Sequence, residues 1–267
     1  MAQLVHLICD YGPGDLAWAE VCAAFYKNIP PMVRMHRISV PPFDTVATGF
    51  ILAQLALSDS NLRPEELLIF ANTAPRKDNP RARKDNEGEG LLYVTLKNGV
   101  NVVAVNSGYS LSFVKDQIQE LWSTNCEDKG SQFRSRDFFP QIVGLAEKQD
   151  FSFLNHKLAP ESTVPDMPES AIGYVDSFGN IKTTIRQGHE SVVNLNPGDR
   201  LKIKIGSRIR TATVATGSFN IMEGDLAFAP GSSGHETRFW ELFKRGGSAW
   251  LDFGQPANGV NVEIILT

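Results

Sequence analysis

The apolar positions of this chain change their period partway along it. In the first part, short apolar runs alternate with stretches of helical spacing. Leu4 to Cys9 is an apolar run of strand length. Asp15 to Tyr26 follows with Leu16, Ala19, Val21, Cys22 and Phe25 available to one helical face. Asp15 stands where a helix N-cap is expected. Met32 to Val40 alternates apolar and polar residues, as a strand does. Asp44 to Leu57 has the spacing of a second helix and ends before a polar Ser-Asp-Ser-Asn stretch. Leu67 to Ala71, Leu91 to Leu96 and Val100 to Val105 are further strands, and Leu111 to Trp122 and Asp137 to Lys148 are expected to be helices. Such alternation predicts an α/β domain with a mostly parallel sheet and helices on its faces.

From Ala171 onward the pattern is one of short strands and turns. Leu201, Ile203 and Ile205 alternate with Lys202 and Lys204, the mark of a half-buried strand. Ile209 to Val214, Leu226 to Phe228, Ala249 to Phe253 and Val260 to Leu266 continue in this manner. The segment from Leu158 to Glu169 carries Pro160, Pro165 and Pro168 and reads as a linker. The expected organisation is therefore an N-terminal α/β domain over 1–167 and a small antiparallel β-barrel over 168–267.

Composition narrows the function classes. The chain has 267 residues, 42% hydrophobic and 21% charged, with a net charge of -4. That is the make-up of a globular protein with a sizeable core. Nothing in the charge balance points to nucleic acid or to an anionic membrane. No apolar run is long enough to cross a bilayer. Met1 to Ile8 lacks the basic start of a signal peptide. Cys9, Cys22 and Cys126 are odd in number and show no CxxC spacing, which suits reduced thiols and a cytoplasmic setting.

Several chemistries fail on the residues. Gly12-Pro13-Gly14 sits where a dinucleotide-binding glycine turn would lie, but a third glycine is missing and Asp15 places a carboxylate at the pyrophosphate position. The five histidines are scattered, without metal-ligand spacing, so no metal is expected. Gly231-Ser232-Ser233-Gly234 has the wrong frame for a nucleophile elbow. Arg76 to Gly90, with five basic and four acidic residues, reads as a solvated loop or as a lid over an anionic ligand.

Three segments keep their interest. Asp10 follows the first strand, where open α/β sheets place ligands. A carboxylate there suits a ribose diol, and equally suits capping a turn. Phe133-Arg134-Ser135-Arg136-Asp137 precedes a helix, with Ser135 placed to cap it and Asp137 in its first turn. Asp176-Ser177-Phe178-Gly179-Asn180 has good β-turn chemistry, and it gathers an acid, an aromatic face and an amide in one small volume.

In order along the chain, these segments resemble the motifs of one family. Asp10-Tyr11-Gly12 with Asp15 is similar to an opening D-F-G-x-x-D, and Pro41-Pro42-Phe43-Asp44 to P-P-F-D. Val105-Asn106-Ser107-Gly108 with Leu111-Ser112 resembles P-D-N-G-L-L-S. Phe133 to Asp137 resembles F-H-G-R-D, and Val175 to Asn180 resembles V-D-x-F-G-N. Gly231 to Gly234 and Arg245-Gly246-Gly247-Ser248-Ala249 resemble N-S-x-G and R-G-N-A-A. The family is that of the S-adenosylmethionine (SAM) hydroxide adenosyltransferases, with the SAM-dependent chlorinases and fluorinases. The resemblance implies a homotrimer, with SAM as substrate held between the N-terminal domain of one chain and the barrel of the next. It implies that Asp10 holds the ribose diol, Phe43 walls the 5′ carbon, and Asn106 and Phe133 help line the site. It assigns Phe178 and Asn180 to the adenosine and Asp176 to the methionine ammonium. Ser232, Ser233, Ser248 and Ala249 would serve the methionine carboxylate and the adenine edge.

The family reaction displaces methionine from the 5′ carbon of SAM. Its hydrolases use an Asp, an Arg and a His to activate water. Here the Asp position looks like Asn72, which cannot accept a proton as a carboxylate does. The Arg aligns with Arg76 or Arg81. The His is replaced by Arg134, which stays protonated. Ser135 and Phe133 remain, in a region that lines the halide pocket of halogenases. The resemblance thus implies hydrolysis to adenosine and methionine first. Transfer to another nucleophile such as halide, and a catalytically silent SAM- or nucleoside-binding trimer, stand beside it.

Overall fold

A computed structural model describes residues 2–58, 62–74, 81, 87–127, 130–217 and 220–266. The chain forms two compact units, Met1–Asp166 and Met167–Thr267.

The first unit contains β1 (Leu4–Cys9), α1 (Leu16–Asn28), β2 (Arg34–Ser39), α2 (Thr45–Leu57), β3 (Leu67–Asn72), β4 (Leu91–Leu96), β5 (Asn101–Val105), β6 (Ile118–Thr124), α3 (Arg134–Asp137), α4 (Phe139–Glu147), β7 (Leu154–Lys157) and the single turn α5 (Pro160–Thr163). Its strands form one sheet in the order β2-β1-β3-β5-β4-β6-β7. β1 pairs in parallel with both β2 and β3, and β3 with β5. The β4–β5, β4–β6 and β6–β7 pairs are antiparallel. The sheet is therefore mixed, and the expectation of a mostly parallel sheet is corrected. The hairpin-like return of β4 to β5, through a short turn at Gly99, forces the change of direction.

Both faces of the central strands are covered, which explains their unbroken apolar runs. Val5, Leu7 and Cys9 of β1 share a core with Trp18, Val21 and Phe25 of α1 and with Phe139, Ile142 and Val143 of α4. Strand alternation turns Ile8, Ile69 and Val102, all fully buried, to the opposite face. There α2 packs on β1 and β3. α2 is buried nearly all round, and it approaches the chain so closely at Gly49 that a Cβ there would run into the Tyr109 carbonyl.

One expected helix comes out differently. Leu111 to Trp122 is a 3-10 helix, Ser112–Gln117, followed by β6. The edge of β4 takes up Ile118 and Leu121-Trp122 as a strand, so pairing overrides a short apolar spacing. The helix expected from Asp137 to Lys148 forms as α4, with Pro140 in its first turn and the separate turn α3 just ahead of it.

The second unit contains β8 (Ile172–Val175), β9 (Ile181–Arg186), β10 (Arg200–Ile205), β11 (Arg208–Val214), β12 (Leu226–Pro230), β13 (Phe239–Lys244), α6 (Ala249–Asp252) and β14 (Val262–Leu266). The sheet order is β14-β10-β11-β12-β13-β9-β8. Its pairs are antiparallel except β11–β12, which is parallel. The sheet curls into a half-barrel around Ile172, Ile181, Ile185, Ile203, Phe228 and Leu242. Its edges meet at one end, where Ala171 bridges Asn261. Ala249 to Phe253, expected as a strand, is the short helix α6, because the Ser248 hydroxyl accepts from the Leu251 N–H and caps it.

One polar pair spans the β1–β2 edge of the first sheet, with His6 buried and His36 exposed. His6 and His36 face each other across β1 and β2, with their Nδ1 atoms 3.2 Å apart. Burial, and then the neighbouring His36, lowers the His6 pKa from 6.5 to about 4. The fold therefore holds His6 neutral, while the unfolded chain protonates it near 6.5. Stability should be fullest above pH 6.5, fall as pH drops towards about 4 and level off below that. Urea unfolding across this range should show a loss on the order of 2 kcal/mol from this group. His6→Leu should flatten that part of the pH profile.

Candidate functional site

The order β2-β1-β3 creates a switch point. α1 carries the chain from β1 to β2 on one side of β1, while β3 lies on the other side and leads onward to β5. Open α/β sheets bind ligands outside the carboxyl ends of strands at such a point. Here those ends deliver Asp10-Tyr11 from β1 and Asn72-Thr73 from β3.

Asp10 Oδ2 accepts the Phe43 backbone N–H at 3.0 Å. Phe43 has a φ of 64°, a left-handed conformation rare for an aromatic residue, and its ring is exposed. The carboxylate thus holds a strained turn that displays the ring of Phe43 just ahead of α2. Asp44 caps that helix, accepting the Ala47 N–H at 2.8 Å. Behind it, Thr48 Oγ1 lies 2.8 Å from Thr73 Oγ1, and the Ser107 hydroxyl donates to the Thr73 carbonyl. Asn106, at the end of β5, is exposed, and its N–H donates to the Gly90 carbonyl.

Tyr11 is the residue that sequence reasoning passed over; it appeared only as a variant letter in a motif. Trp18 Nε1 donates to its carbonyl at 3.1 Å, and its ring stands edge-on to those of Trp18 and Phe133. Asn72 Nδ2 donates to the Tyr11 hydroxyl at 2.8 Å, and that hydroxyl lies 2.5 Å from Ser135 Oγ. Burial pushes the Tyr11 phenol well above its ordinary range, so it stays protonated at neutral pH. The signal available in the sequence was its position, directly after a carboxylate at a strand end.

Ser135 does not cap a helix, contrary to expectation. It lies inside α3, buried, and the N-cap position belongs to Phe133, which offers no side-chain bond. Ser131 does the polar work there, accepting the Phe133 N–H at 2.8 Å and donating to Asp137 at 2.6 Å. The Arg136 guanidinium, and then Ser131, hold the Asp137 carboxyl below its usual range. Arg134 donates to the Glu89 carbonyl at 2.7 Å, lies 3.7 Å from the Glu89 carboxylate and stacks over Phe139. Its charge is directed at Glu89. Arg76 and most of the Arg76–Gly90 segment lie outside the described residues.

The second unit holds the other candidates. The turn at Asp176 is built by its own carboxylate. One oxygen accepts the N–H groups of Phe178 and Asn180, each at 3.0 Å, and the other accepts Asn180 Nδ2 at 2.9 Å. Lys182 Nζ stands 3.9 Å away and 2.8 Å from Glu241. Phe178 projects from the tip, 78% exposed. Gly179 has a φ of 78°, and a Cβ there would run into Ser248. Its carbonyl accepts the Trp250 N–H at 2.9 Å, which ties the turn to the start of α6. Beside the turn lies a cavity of about 490 Å³, lined by Asn180, Ser232, Arg238, Glu241, Lys244 and Arg245 among others. Ser233 is buried, with its carbonyl taking the Phe239 N–H. Ser248 is a helix cap and Ala249 is fully buried in the half-barrel core. These three thus carry structural roles of their own.

No protein-family model matches the chain, and no curated protein matches it. It is similar in structure to an uncharacterized conserved protein from Thermotoga maritima, at 20% identity and a TM-score of 0.76, over 98% of this chain and 99% of that one. A conserved hypothetical protein from Thermus thermophilus is also similar, at 18% identity and a TM-score of 0.66, over 98% of this chain and 100% of that one. At these identities the likeness is one of fold. Among the described residues no group of three or more His, Cys, Asp or Glu side chains could hold a metal ion, and no helix is long and apolar enough to cross a membrane.

The turn at Gly179 offers a direct test. Gly179→Ala places a Cβ against Ser248 and a non-glycine residue at positive φ. It should lower stability by about 1–3 kcal/mol, read as an earlier thermal transition, whereas Ser177→Ala should leave it nearly unchanged.

Proposed function

We propose that this protein binds S-adenosylmethionine and displaces methionine from its 5′ carbon, with water as nucleophile, giving adenosine and methionine. The observation that carries this reading is the Asp10–Phe43 pair at the β1–β3 switch point. A carboxylate is held there by a backbone N–H 3.0 Å away, beside an exposed aromatic ring. A carboxylate suits a ribose diol, and an aromatic face suits the ring or the reacting carbon. The turn with Asn180 and Phe178, and the polar cavity beside it, support an adenosine- and methionine-binding surface in the second unit.

The chemistry asks little of the protein. A lone pair of the nucleophile forms a bond to the 5′ carbon as the C–S bond breaks. The sulfonium keeps the bonding pair and leaves as a neutral thioether. Water then loses its surplus proton to solvent. Alignment and exclusion of bulk water supply the rate.

A second reading is favoured by one observation. Asn72, Tyr11 and Ser135 form a neutral hydrogen-bonded set with no carboxylate in it to accept a proton. That chemistry suits a nucleophile that arrives already anionic, halide included. The working unit proposed is a homotrimer, as the family resemblance implies, in a cytoplasmic setting, as the unspaced cysteines suggest, and the mass in solution tests the first part.

The deciding experiment incubates purified protein with SAM, with and without chloride, and resolves the nucleoside products. Adenosine and methionine support hydrolysis. A 5′-substituted nucleoside supports the second reading. Calorimetric binding without turnover leaves a SAM-binding protein only, and absence of binding ends the proposal. Asp10→Ala should weaken SAM binding by about 10–100-fold, the worth of hydrogen bonds to a charged group, while the circular dichroism spectrum is retained.

A further inference from the structure

Helix α1 is apolar on two opposite sides. Trp18, Val21 and Phe25 point into the core of the first unit. On the far side Leu16 is 72% and Tyr26 66% exposed, and Ala19 and Ala23 between them are exposed as well. At 3.6 residues per turn these four fall within an arc of about 80° and run the length of the helix. A surface helix ordinarily turns charged and polar residues to water on that side, and a helix that is apolar all round is a buried one. The margins of the stripe are charged. Asp15 and Lys27 stand exposed at its two ends, and Glu20 flanks it, with Arg136 Nη1 3.5 Å from its carboxylate. An exposed apolar patch with a charged rim has the make-up of a protein contact.

The stripe is complementary to itself. When two such helices lie antiparallel about a two-fold axis level with residue 21, Leu16 faces Tyr26 of the second copy, Ala19 faces Ala23 and Asp15 faces Lys27. The small side chains stand at the middle, where the helices come closest, and the large ones lie to either side. Opposite charges meet at both ends, and the two helix dipoles oppose one another. A parallel pairing would instead set Asp15 against Asp15 and Lys27 against Lys27. We propose that the exposed face of α1 is an isologous interface, which pairs two copies of this chain antiparallel about residue 21. A contact made by one helix of 13 residues, about 20 Å long, is small beside a standard interface. The pairing is therefore weak and follows protein concentration. It does not rest on the SAM reading. It doubles whatever unit the rest of the chain forms, one chain to two or three chains to six.

The test is sedimentation of the full chain over a range of protein concentrations, without SAM. The wild-type particle should reach twice the mass of the Leu16→Glu particle, whose dissociation constant should rise about 10-fold or more. An acid in the first turn suits the helix dipole, so Leu16→Glu should keep the circular dichroism spectrum and thermal transition of the wild type. A second set of variants reads the register. Asp15→Asn, which still caps the helix, and Lys27→Met should each weaken the pairing about 2- to 10-fold at low salt. Together they should cost no more than either alone, because each removes the same contact. A mass that Leu16→Glu leaves unchanged at every concentration overturns the proposal. So does a fall from three chains to one, which would give this face to another part of a neighbouring chain. Strictly additive effects of Asp15→Asn and Lys27→Met overturn the antiparallel register, and the proposal with it. SAM binding is measured separately, so its failure would leave the doubling of mass as the sole judge of this interface.

Discussion

The first unit depends on β1 lying between two parallel partners. Pairing β1 with β2 in register from Leu4–Arg34 to Cys9–Ser39, and with β3 from Leu4–Leu67 to Cys9–Asn72, aligns three carboxyl ends at one level. Helices on the two faces then bury β1 from Val5 to Cys9. Asp10 and Tyr11 are the first residues free of the sheet, and Asn72 and Thr73 arrive beside them. Without that register, Asn72 would not reach the Tyr11 hydroxyl, and the hydrogen-bonded set with Ser135 would not form.

The same device organises both candidate regions. A carboxylate accepts backbone N–H groups and so holds a conformation that the chain would otherwise resist. Asp10 does so for the left-handed Phe43, and Asp176 does so for the turn through Phe178 to Asn180. In each case an exposed aromatic ring is the result. Both rings lose burial, the backbone of Phe43 carries strain, and charge-assisted acceptor bonds offset that cost. Arg134 works the other way. Its guanidinium is drawn to Glu89 and stacks over Phe139.

Much of this was legible beforehand. The central strands announced themselves because both of their faces are buried, which leaves long apolar runs. Asp15 and Asp44 were legible as helix starts because capping is local chemistry. The turn at Asp176 to Asn180 was legible for the same reason. Ile118 to Thr124 was not, because its strand form depends on the open edge of β4, which lies far away in sequence. Ser248 as the cap of α6 was missed where an apolar pair, Trp250-Leu251, suggested a strand. Ser135 was misassigned because its true partner, Tyr11, stands 124 residues away.

The sequence by itself determined the two-unit organisation, the central strands, the capped helices and the carboxylate-built turn. These depend on burial periodicity and on hydrogen bonds that span a few residues. Only the tertiary structure decided that Ile118 to Thr124 pairs with β4 as a strand, that Arg134 answers to Glu89, and that Asn72, Tyr11 and Ser135 form one hydrogen-bonded set. Those outcomes rest on strand register and long-range hydrogen bonds. No local pattern encodes them, because the partners meet only after the chain has closed around its core.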